Sequence, residues 1–252
     1  MKKVIYILSF LSCVGLFAQN NALFDKANEL YNEGRYAEAI DNYSKILETG
    51  NHSADLYFNL GNAHYKLNNI APSIYFYEKA LQLEPNDEDI KNNLAFATNM
   101  TVDDIDIVPE SALSKLINNI TNYLSFDGWA KFSVVLVFCF VFLFLVYYFA
   151  YSSIKKRLAF IISMASLGFA CIALALAFHK YNVVKKDRPA IVFSTEAKIK
   201  SEPNSRSEES FRLHEGTKVQ ILDTINNWKK VRLSDGKTGW ILDEDIKMLE
   251  SF

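Results

Sequence analysis

The chain has 252 residues, half of them apolar, and a formal net charge of -2. The charge is unevenly divided, because residues 22–100 carry 12 acidic and 6 basic side chains whereas residues 180–252 carry 14 basic and 12 acidic ones. Neither region has the strong basic excess that nucleic-acid binding requires. The two long uncharged runs between these regions exclude a single globular domain with one core.

Residues 1–18 have the features of an export signal. Lys2 and Lys3 precede an uncharged apolar stretch, and Ala18 offers a small residue at a cleavage point. Leu16 occupies a position where a small residue is usual, so a cleaved signal peptide and an uncleaved anchor both stay open. Either outcome exports the residues that follow.

Residues 20–100 contain an internal repeat, in which the segment 34–47 returns 34 residues later at 68–81. The period and the small residues at predicted helix contacts, such as Gly61, resemble the tetratricopeptide repeat (TPR), a pair of helices that stacks on its neighbours. Residues 89–100 are predicted to form a capping helix that covers the last open face.

The resemblance implies a concave groove lined by the first helix of each pair. The residues in phase with this groove are Phe24, Asn28, Tyr31, Phe58, Asn62, Tyr65, Asn92, Phe96 and Asn99. Asn28 and Asn62 fall where such domains hold the backbone of an extended peptide, since an amide can both donate and accept a hydrogen bond. Phe24 and Phe58 replace the basic residues of members that clamp a carboxylate, so we expect no such specificity. The alternative is that both rings simply pack.

Residues 101–131 are predicted to be a linker followed by an amphipathic helix. Asp103, Asp104 and Asp106 could touch a divalent cation, but we expect a solvated linker. Apolar residues then recur on one face of a helix: Leu113, Leu116, Ile117, Ile120 and Leu124. We expect this helix to lie in the membrane interface; the alternative is a helix packed on the repeat module.

Two uncharged runs, residues 132–151 and 158–178, are each long enough to cross a bilayer as a helix. The short loop 152–157 forces them to be antiparallel neighbours, and its Lys155, Lys156 and Arg157 indicate a cytoplasmic location. With the export signal, this predicts a two-pass protein of the inner (cytoplasmic) membrane whose modules on both sides of the hairpin are periplasmic.

The second run carries small residues along one helix face: Ala159, Ser163, Ser166, Ala170, Ala173 and Ala177. In lipid such a face lets another backbone approach closely. One interpretation is that the rings of the first run, Phe138, Phe140, Phe142, Phe144 and Phe149, fill this face within the hairpin. The other is that a partner's helix does.

Residues 190–252 change to strand patterning, with apolar alternation in 217–222 and 228–233. Asp235-Gly236 predicts a type I′ hairpin turn, which needs positive φ at both residues. These features, with Trp228 and Trp240, resemble the bacterial SH3-like (SH3b) fold. The resemblance implies a small β-barrel that could bind cell-wall peptide or a protein, with both tryptophans in its core.

Catalytic constellations are not found in the sequence, and we expect no enzyme activity, cofactor or metal site. Cys13, Cys139 and Cys171 all lie in apolar segments, which leaves no thiol in the exported modules. His64 is predicted to pack in the second repeat. His52 and His214 are predicted to lie in turns.

The order of modules, signal, repeats, two spans and SH3-like domain, resembles the BatE family of the bacterial aerotolerance (Bat) operon. The resemblance implies an envelope complex that also contains von Willebrand A-type membrane proteins and, indirectly, a MoxR-type AAA+ ATPase. The fold class expected is thus a multidomain membrane protein acting as a non-enzymatic scaffold for periplasmic partners. The alternative is an envelope sensor whose SH3-like module binds peptidoglycan.

Overall fold

The computed structural model describes residues 20–106, 109 and 111–249. The predictions for residues 1–18, including Cys13, lie outside this part of the chain. The described residues divide into two compact units. Residues 20–106 and 188–249 form the repeat–sheet unit, and residues 109–187 form the hairpin unit.

In the first half of the repeat–sheet unit, the regular secondary structure consists of helices. Its helices are α1 (residues 20–32), α2 (Tyr36–Glu48), α3 (Ala54–Lys66), α4 (Ile70–Leu83) and α5 (Glu88–Thr98).

Local sequence signals explain where these helices begin and how they pair. The side chains of Ser53 and Asp87 cap α3 and α5 by accepting hydrogen bonds from Leu56 N and Ile90 N. Gly61 of α3 packs against the Tyr77 ring of α4, and a Cβ at this position would lie 2.6 Å from two ring carbons. A small residue is therefore required where the paired helices touch.

The second half of this unit is an antiparallel sheet of seven strands. They are β1 (Pro189–Val192), β2 (Glu196–Lys200), β3 (Glu209–His214), β4 (Lys218–Ile225), β5 (Trp228–Arg232), β6 (Thr238–Leu242) and β7 (Ile246–Met248).

The strand order is β3-β2-β6-β5-β4-β1-β7. The predicted fold class is confirmed, but the sheet does not close into a barrel, since β3 and β7 remain at its edges. The predicted type I′ turn is wrong, because only Gly236 of the pair Asp235-Gly236 has positive φ.

The hairpin unit contains three helices, α6 (Ala112–Thr121), α7 (Phe126–Phe149) and α8 (Ser153–Lys186). By length and composition, α7 and α8 could each cross a membrane. The helix α7 begins six residues before its uncharged run and ends two residues short of it. The helix α8 extends beyond its run by five residues at its start and eight at its end. An uncharged run shows only which residues suit an apolar layer. The helix can be longer, because its backbone hydrogen bonds continue into the polar residues on either side.

Candidate partner-binding surfaces

A cleft of about 220 Å³ opens on the side of the repeats formed mainly by the first helices of the pairs. It brings together residues from α1, α3, α4 and α5: Tyr31, Asn62, Tyr65, Lys66, Tyr77, Asn93 and Phe96. Four of the residues predicted for the groove, Tyr31, Asn62, Tyr65 and Phe96, therefore line one cavity. Phe96 is 61% exposed although it is a large apolar residue.

Two asparagine pairs are built identically in successive repeats. Asn28 Oδ1 accepts hydrogen bonds from Tyr43 OH (2.5 Å) and Asn59 Nδ2 (3.1 Å). One repeat later, Asn62 Oδ1 accepts from Tyr77 OH (2.7 Å) and Asn93 Nδ2 (2.8 Å). Each tyrosine comes from the second helix of the same repeat, and each donating asparagine comes from the next helix. The bonds therefore fix the groove-facing amides to the stacked helices behind them.

This arrangement limits what Asn62 can offer to a ligand. A carbonyl oxygen has two lone pairs, and both are used by Tyr77 and Asn93. Burial raises the pKa of Tyr77, so its hydroxyl keeps the proton that it donates. The groups of this pair that can bond a peptide in the cleft are therefore the amide nitrogen of Asn62, as a donor, and the amide oxygen of Asn93, as an acceptor. Asn93 rather than the predicted Asn92 supplies this second group.

The remaining predicted groove residues lie outside the cleft. Phe58 packs against Tyr77, with ring centroids 5.9 Å apart, and Phe24 packs against Tyr43 at 5.7 Å. Asn92 is exposed outside the cleft lining, and Asn99 lines a different cavity. Phe24 and Phe58 thus serve the packing of the repeats.

The sheet packs directly on α4, which makes the repeats and the SH3-like module one body. Ile191 and Leu249 of the sheet are fully or almost fully buried within the apolar cluster of α4 and its neighbours. Gly216 has φ +86°, and a Cβ there would lie 2.8 Å from Thr101 Cγ2 and 2.9 Å from Ile74 Cδ1. We call this contact the repeat–sheet seam.

A lysine of β7 lies beside three aromatic rings at the repeat–sheet seam. The ammonium of Lys247 lies 4.4 Å from the centroid of Tyr75, 5.9 Å from Phe76 and 5.7 Å from Phe193. Burial lowers the pKa of Lys247. His64 stacks on Phe76, one of these three rings, with ring centroids 5.4 Å apart, which is consistent with its predicted packing role. Burial, and then the charge of Lys247, lower the pKa of His64 to about 4, so this imidazole is neutral at physiological pH.

A carboxylate fastens the linker to the sheet at the same seam. Asp103 accepts hydrogen bonds from His214 N (2.7 Å), His214 Nδ1 (2.7 Å) and Thr217 Oγ1 (2.5 Å). Burial raises the pKa of Asp103, but the bonds from Thr217 and His214 together outweigh it and hold the pKa below its usual value. Asp103 is therefore ionised, and we call its bonds to His214 and Thr217 the clasp.

Two predictions are wrong at this clasp. Asp103 is not solvated, since its side chain is only 13% exposed, and His214 ends strand β3 instead of lying in a turn. Beside the clasp, Lys218 pairs with Glu78 of α4 at 2.7 Å, and Ile105 packs against the core of the sheet. Residues 103–105 thus belong to the folded unit.

The sheet also has an open cavity of about 600 Å³. Six of its eight lining residues are polar or charged, and the set comprises Glu196, Lys198, Lys200, Ser205, Asn227, Trp228, Leu242 and Asp245. Trp228 is 9% exposed and Trp240 8%, so both tryptophans are largely buried. A ligand of this cavity would meet charged and amide groups instead of an open aromatic platform.

In the hairpin unit, α7 occupies the small-residue face of α8. All six residues of the face, Ala159 to Ala177, are buried. Ser133 Oγ donates to Ala170 O at 2.9 Å, and Ser166 Oγ donates to Leu136 O at 2.8 Å. The helices therefore approach closely enough for each to bond the other's main chain.

Of the phenylalanines expected to face α8, Phe140 is on the more buried side of α7, whereas three others are not. Phe138, Phe142 and Phe149 are 67–70% exposed and point away from the seam. The more buried positions of α7 recur at steps of three and four residues: Ser133, Leu136, Phe140, Leu143 and Tyr147. A face of small residues accepts one narrow ridge, so most of the phenylalanines remain on the outside.

Comparisons with known proteins agree with the two modules. The model of the tetratricopeptide repeat family matches residues 54–87, and a second TPR repeat model matches residues 27–68. The bacterial SH3 domain model matches residues 195–247. A search of curated proteins finds no match.

Among solved structures, the chain is similar to an NlpC/P60 family protein from Bacillus cereus. The identity is 14%, the TM-score is 0.22, and the match covers 28% of this chain and 23% of that one. A likeness of this size has no bearing on function. The family matches and the fold together establish that the chain contains TPR repeats and a bacterial SH3 domain, modules suited to binding proteins or peptidoglycan.

Proposed function

We propose that this protein is a non-enzymatic scaffold of the inner membrane that captures a protein partner on the periplasmic side. The hairpin anchors the chain, and the cleft around Asn62 and Phe96 binds an extended segment of the partner. The observation that carries the proposal is that residues on both sides of the hairpin build one folded unit.

The continuity of the repeat–sheet unit supports the topology. Asp103 precedes the hairpin and His214 follows it, yet the two side chains are 2.7 Å apart. A chain that leaves a folded unit and returns to it must cross a bilayer an even number of times in between. Two spans, α7 and α8, meet this requirement. Reporter fusions at residues 60 and 230 are expected to give the same, periplasmic, side; opposite sides would refute the topology.

The cleft supports a peptide-binding role. Phe96 exposes an apolar ring beside an amide donor and an amide acceptor, and aromatic anchors of this kind dominate binding energies. Phe96→Ala is expected to weaken partner capture by about 2 kcal/mol, roughly thirtyfold in Kd, without loss of stability. Asn92→Ala on the exposed part of the same helix serves as control and is expected to change nothing.

The partner is open to direct identification. The BatE-like module order suggests von Willebrand A-type membrane proteins, and through them a MoxR-type AAA+ ATPase, in a complex for oxygen or stress tolerance. A photo-reactive residue at Phe96 is expected to cross-link such an envelope protein in intact cells, and one at Asn92 is not. Cross-linking at neither position, or equally at both, would place the binding surface elsewhere.

The contact between Asp103 and His214 has a structural explanation, which is consistent with a role without catalysis. Asp103 and His214 form the pair most similar to a catalytic dyad, but Asp103 also bonds Thr217 and a backbone N–H. Both groups are thereby committed to holding the linker on the sheet.

The polar cavity of the sheet supports a second candidate, binding of peptidoglycan. Lys198, Lys200 and Asn227 could hydrogen-bond the peptide or sugar groups of the cell wall. Sedimentation of the full-length protein in detergent with purified peptidoglycan tests this candidate. Retention that is lost in Lys198→Glu but kept in Phe96→Ala would support it, whereas no retention would exclude it.

A further inference from the structure

The amphipathic helix α6 presents an apolar face that the described part of its own unit does not cover. Leu113 and Leu116 are 67% and 56% exposed, and Ile117, Ile120 and Leu124 are also exposed. Leu113, Leu116, Ile117 and Ile120 lie on one side of α6 by helical periodicity, and Lys115 lies on the opposite side. Leu124 follows the end of the helix, in the corner that leads to α7.

Two contacts fasten the end of α6 to the spans. The indole of Trp129 in α7 donates to Thr121 O at 3.1 Å, and Lys180 of α8 donates to Asn122 Oδ1 at 2.5 Å. Trp129 and Lys180 flank the uncharged runs of the two spans. The end of α6 is therefore held at the level where apolar surroundings give way to water.

The corner between α6 and α7 is tight. Ser125 caps α7 by accepting a hydrogen bond from Gly128 N at 3.1 Å, and a Cβ on Gly128 would lie 3.1 Å from Leu124 Cβ. Phe126 and Tyr181 stack edge to face nearby, at 5.7 Å. Aromatic residues of this kind favour the headgroup layer of a bilayer. The short corner leaves α6 little freedom to move away from that layer.

We propose that α6 lies in the plane of the bilayer interface, with Leu113, Leu116 and Ile120 among the upper acyl chains and Lys115 toward the lipid phosphates. This inference rests on the membrane placement proposed above. Lipid is the occupant that fits, because the apolar face continues from spans that are themselves covered by lipid. An apolar helix face of this kind is buried about 5–10 Å into the boundary between headgroups and acyl chains.

The test uses the full-length protein in phosphatidylcholine vesicles, with Cys13, Cys139 and Cys171 replaced by serine. A nitrobenzoxadiazole label is attached at Leu116→Cys, or at Lys115→Cys as the matched control. Quenching is compared between lipids with a shallow nitroxide, on an upper carbon of the acyl chain, and lipids with a deep nitroxide, at the end of the acyl chain. The label at residue 116 is expected to be quenched at least about threefold more by the shallow nitroxide than the label at residue 115. Leu113→Cys repeats the measurement one turn away.

A label on the retained native Cys139 separates this inference from the membrane proposal. Cys139 lies exposed near the middle of α7 and should be quenched most by the deep nitroxide. If residue 139 is quenched but residues 116 and 115 behave alike, the inference fails and the anchor stands. If residue 116 is shielded from water but unquenched by either lipid, protein covers the face and the inference also fails. No quenching at residue 139 would refute the membrane placement itself.

Discussion

The repeat–sheet seam and the hairpin seam are closed by different chemistry. At the first, charged groups meet partners across the contact: Asp103 binds His214 and Thr217, and Lys247 lies among three rings. At the second, which we call the hairpin seam, one ridge of α7 packs on the small side chains of α8, and two serine hydroxyls bond main-chain carbonyls.

With the membrane placement proposed above, the difference follows from the solvent that surrounds each seam. In water, apolar burial supplies most of the driving force, and charged groups add specificity where they are fully partnered. In lipid, helices gain nothing from leaving water, so close packing of small residues and bonds between helices must suffice. Added volume should therefore destabilise both seams, whereas loss of a charged partner should destabilise only the repeat–sheet seam.

The largest effect is expected at Gly216, where volume and backbone conformation act together. Gly216→Ala adds a Cβ that meets Thr101 and Ile74, in addition to the strain of φ +86°. The strain costs about 1–2 kcal/mol, and the overpacking about 1–3 kcal/mol more. Thermal unfolding followed by the fluorescence of the sheet tryptophans measures the sum.

Gly236 provides the matched control for this change. It has φ +89°, but no atom lies within 4 Å of a Cβ built there. Gly236→Ala is therefore expected to cost only the strain. Equal losses for the two variants would mean that the seam tolerates the added methyl group.

A smaller loss is expected on removal of the clasp. Asp103→Asn replaces one acceptor oxygen by a donor that faces other donors, and a hydrogen bond to a charged group contributes about 1.5–3 kcal/mol. Faster hydrogen exchange at the amide of His214 is the measurement. Asp104→Asn changes the neighbouring, exposed carboxylate and is expected to leave that exchange rate unaltered.

The clasp also predicts a direction for pH dependence. The folded pKa of Asp103 is below its usual value, so its contribution to stability is complete above that usual value, near 4. This contribution is lost as the pH falls through the folded pKa. Asp103→Asn should therefore be less stable at neutral pH but should lose less stability than the wild type on acidification. The same acid-induced loss in both proteins would contradict the role of Asp103.

At the hairpin seam, Ala170→Leu tests whether added volume is the sensitive quantity. Ala170 is 3% exposed, and its carbonyl accepts the bond from Ser133, so a larger side chain must push the helices apart. The expected cost is about 1–2 kcal/mol, seen as a lower unfolding temperature of the full-length protein in detergent, followed by helical circular dichroism. Ala165→Leu makes the same change on the exposed side and should be neutral; a loss there of equal size would argue against the seam.

The repeats, the spans and the small-residue face could all be predicted from the sequence, because each depends on a local period. Asn93, which lines the cleft, lies at a second regular spacing in the repeats. Asn28 and Asn59 are 31 residues apart, and so are Asn62 and Asn93. Following this second spacing would have indicated Asn93, whereas the groove phase alone selected Asn92.

The repeat–sheet seam could not be predicted in the same way. Asp103 and His214 are 111 residues apart and lie on opposite sides of the hairpin. An aspartate in a polar linker has the same local pattern whether it is solvated or clasped. Which surface of the sheet meets α4 depends on shape and on contacts between distant segments, and a period within one segment carries no information about these.

The smallest effect is expected at Lys247, whose ammonium lies beside aromatic rings at the repeat–sheet seam. Lys247 is an exposed residue, so Lys247→Met, which keeps the apolar stem, removes a cation–π contribution of about 0.5–1 kcal/mol. The pKa of His64, about 4, should rise on loss of the neighbouring charge but stay below 6.5, since burial is the larger cause of its shift. Neutral His64 contributes stability that is complete above pH 6.5 and is lost as the pH falls toward 4, so the variant should lose less on acidification. Titration of the His64 ring protons by NMR measures the shift.

Lys247→Arg keeps the charge and should leave the pKa of His64 where it is; an unchanged pKa in Lys247→Met as well would mean that the ammonium does not act on this imidazole.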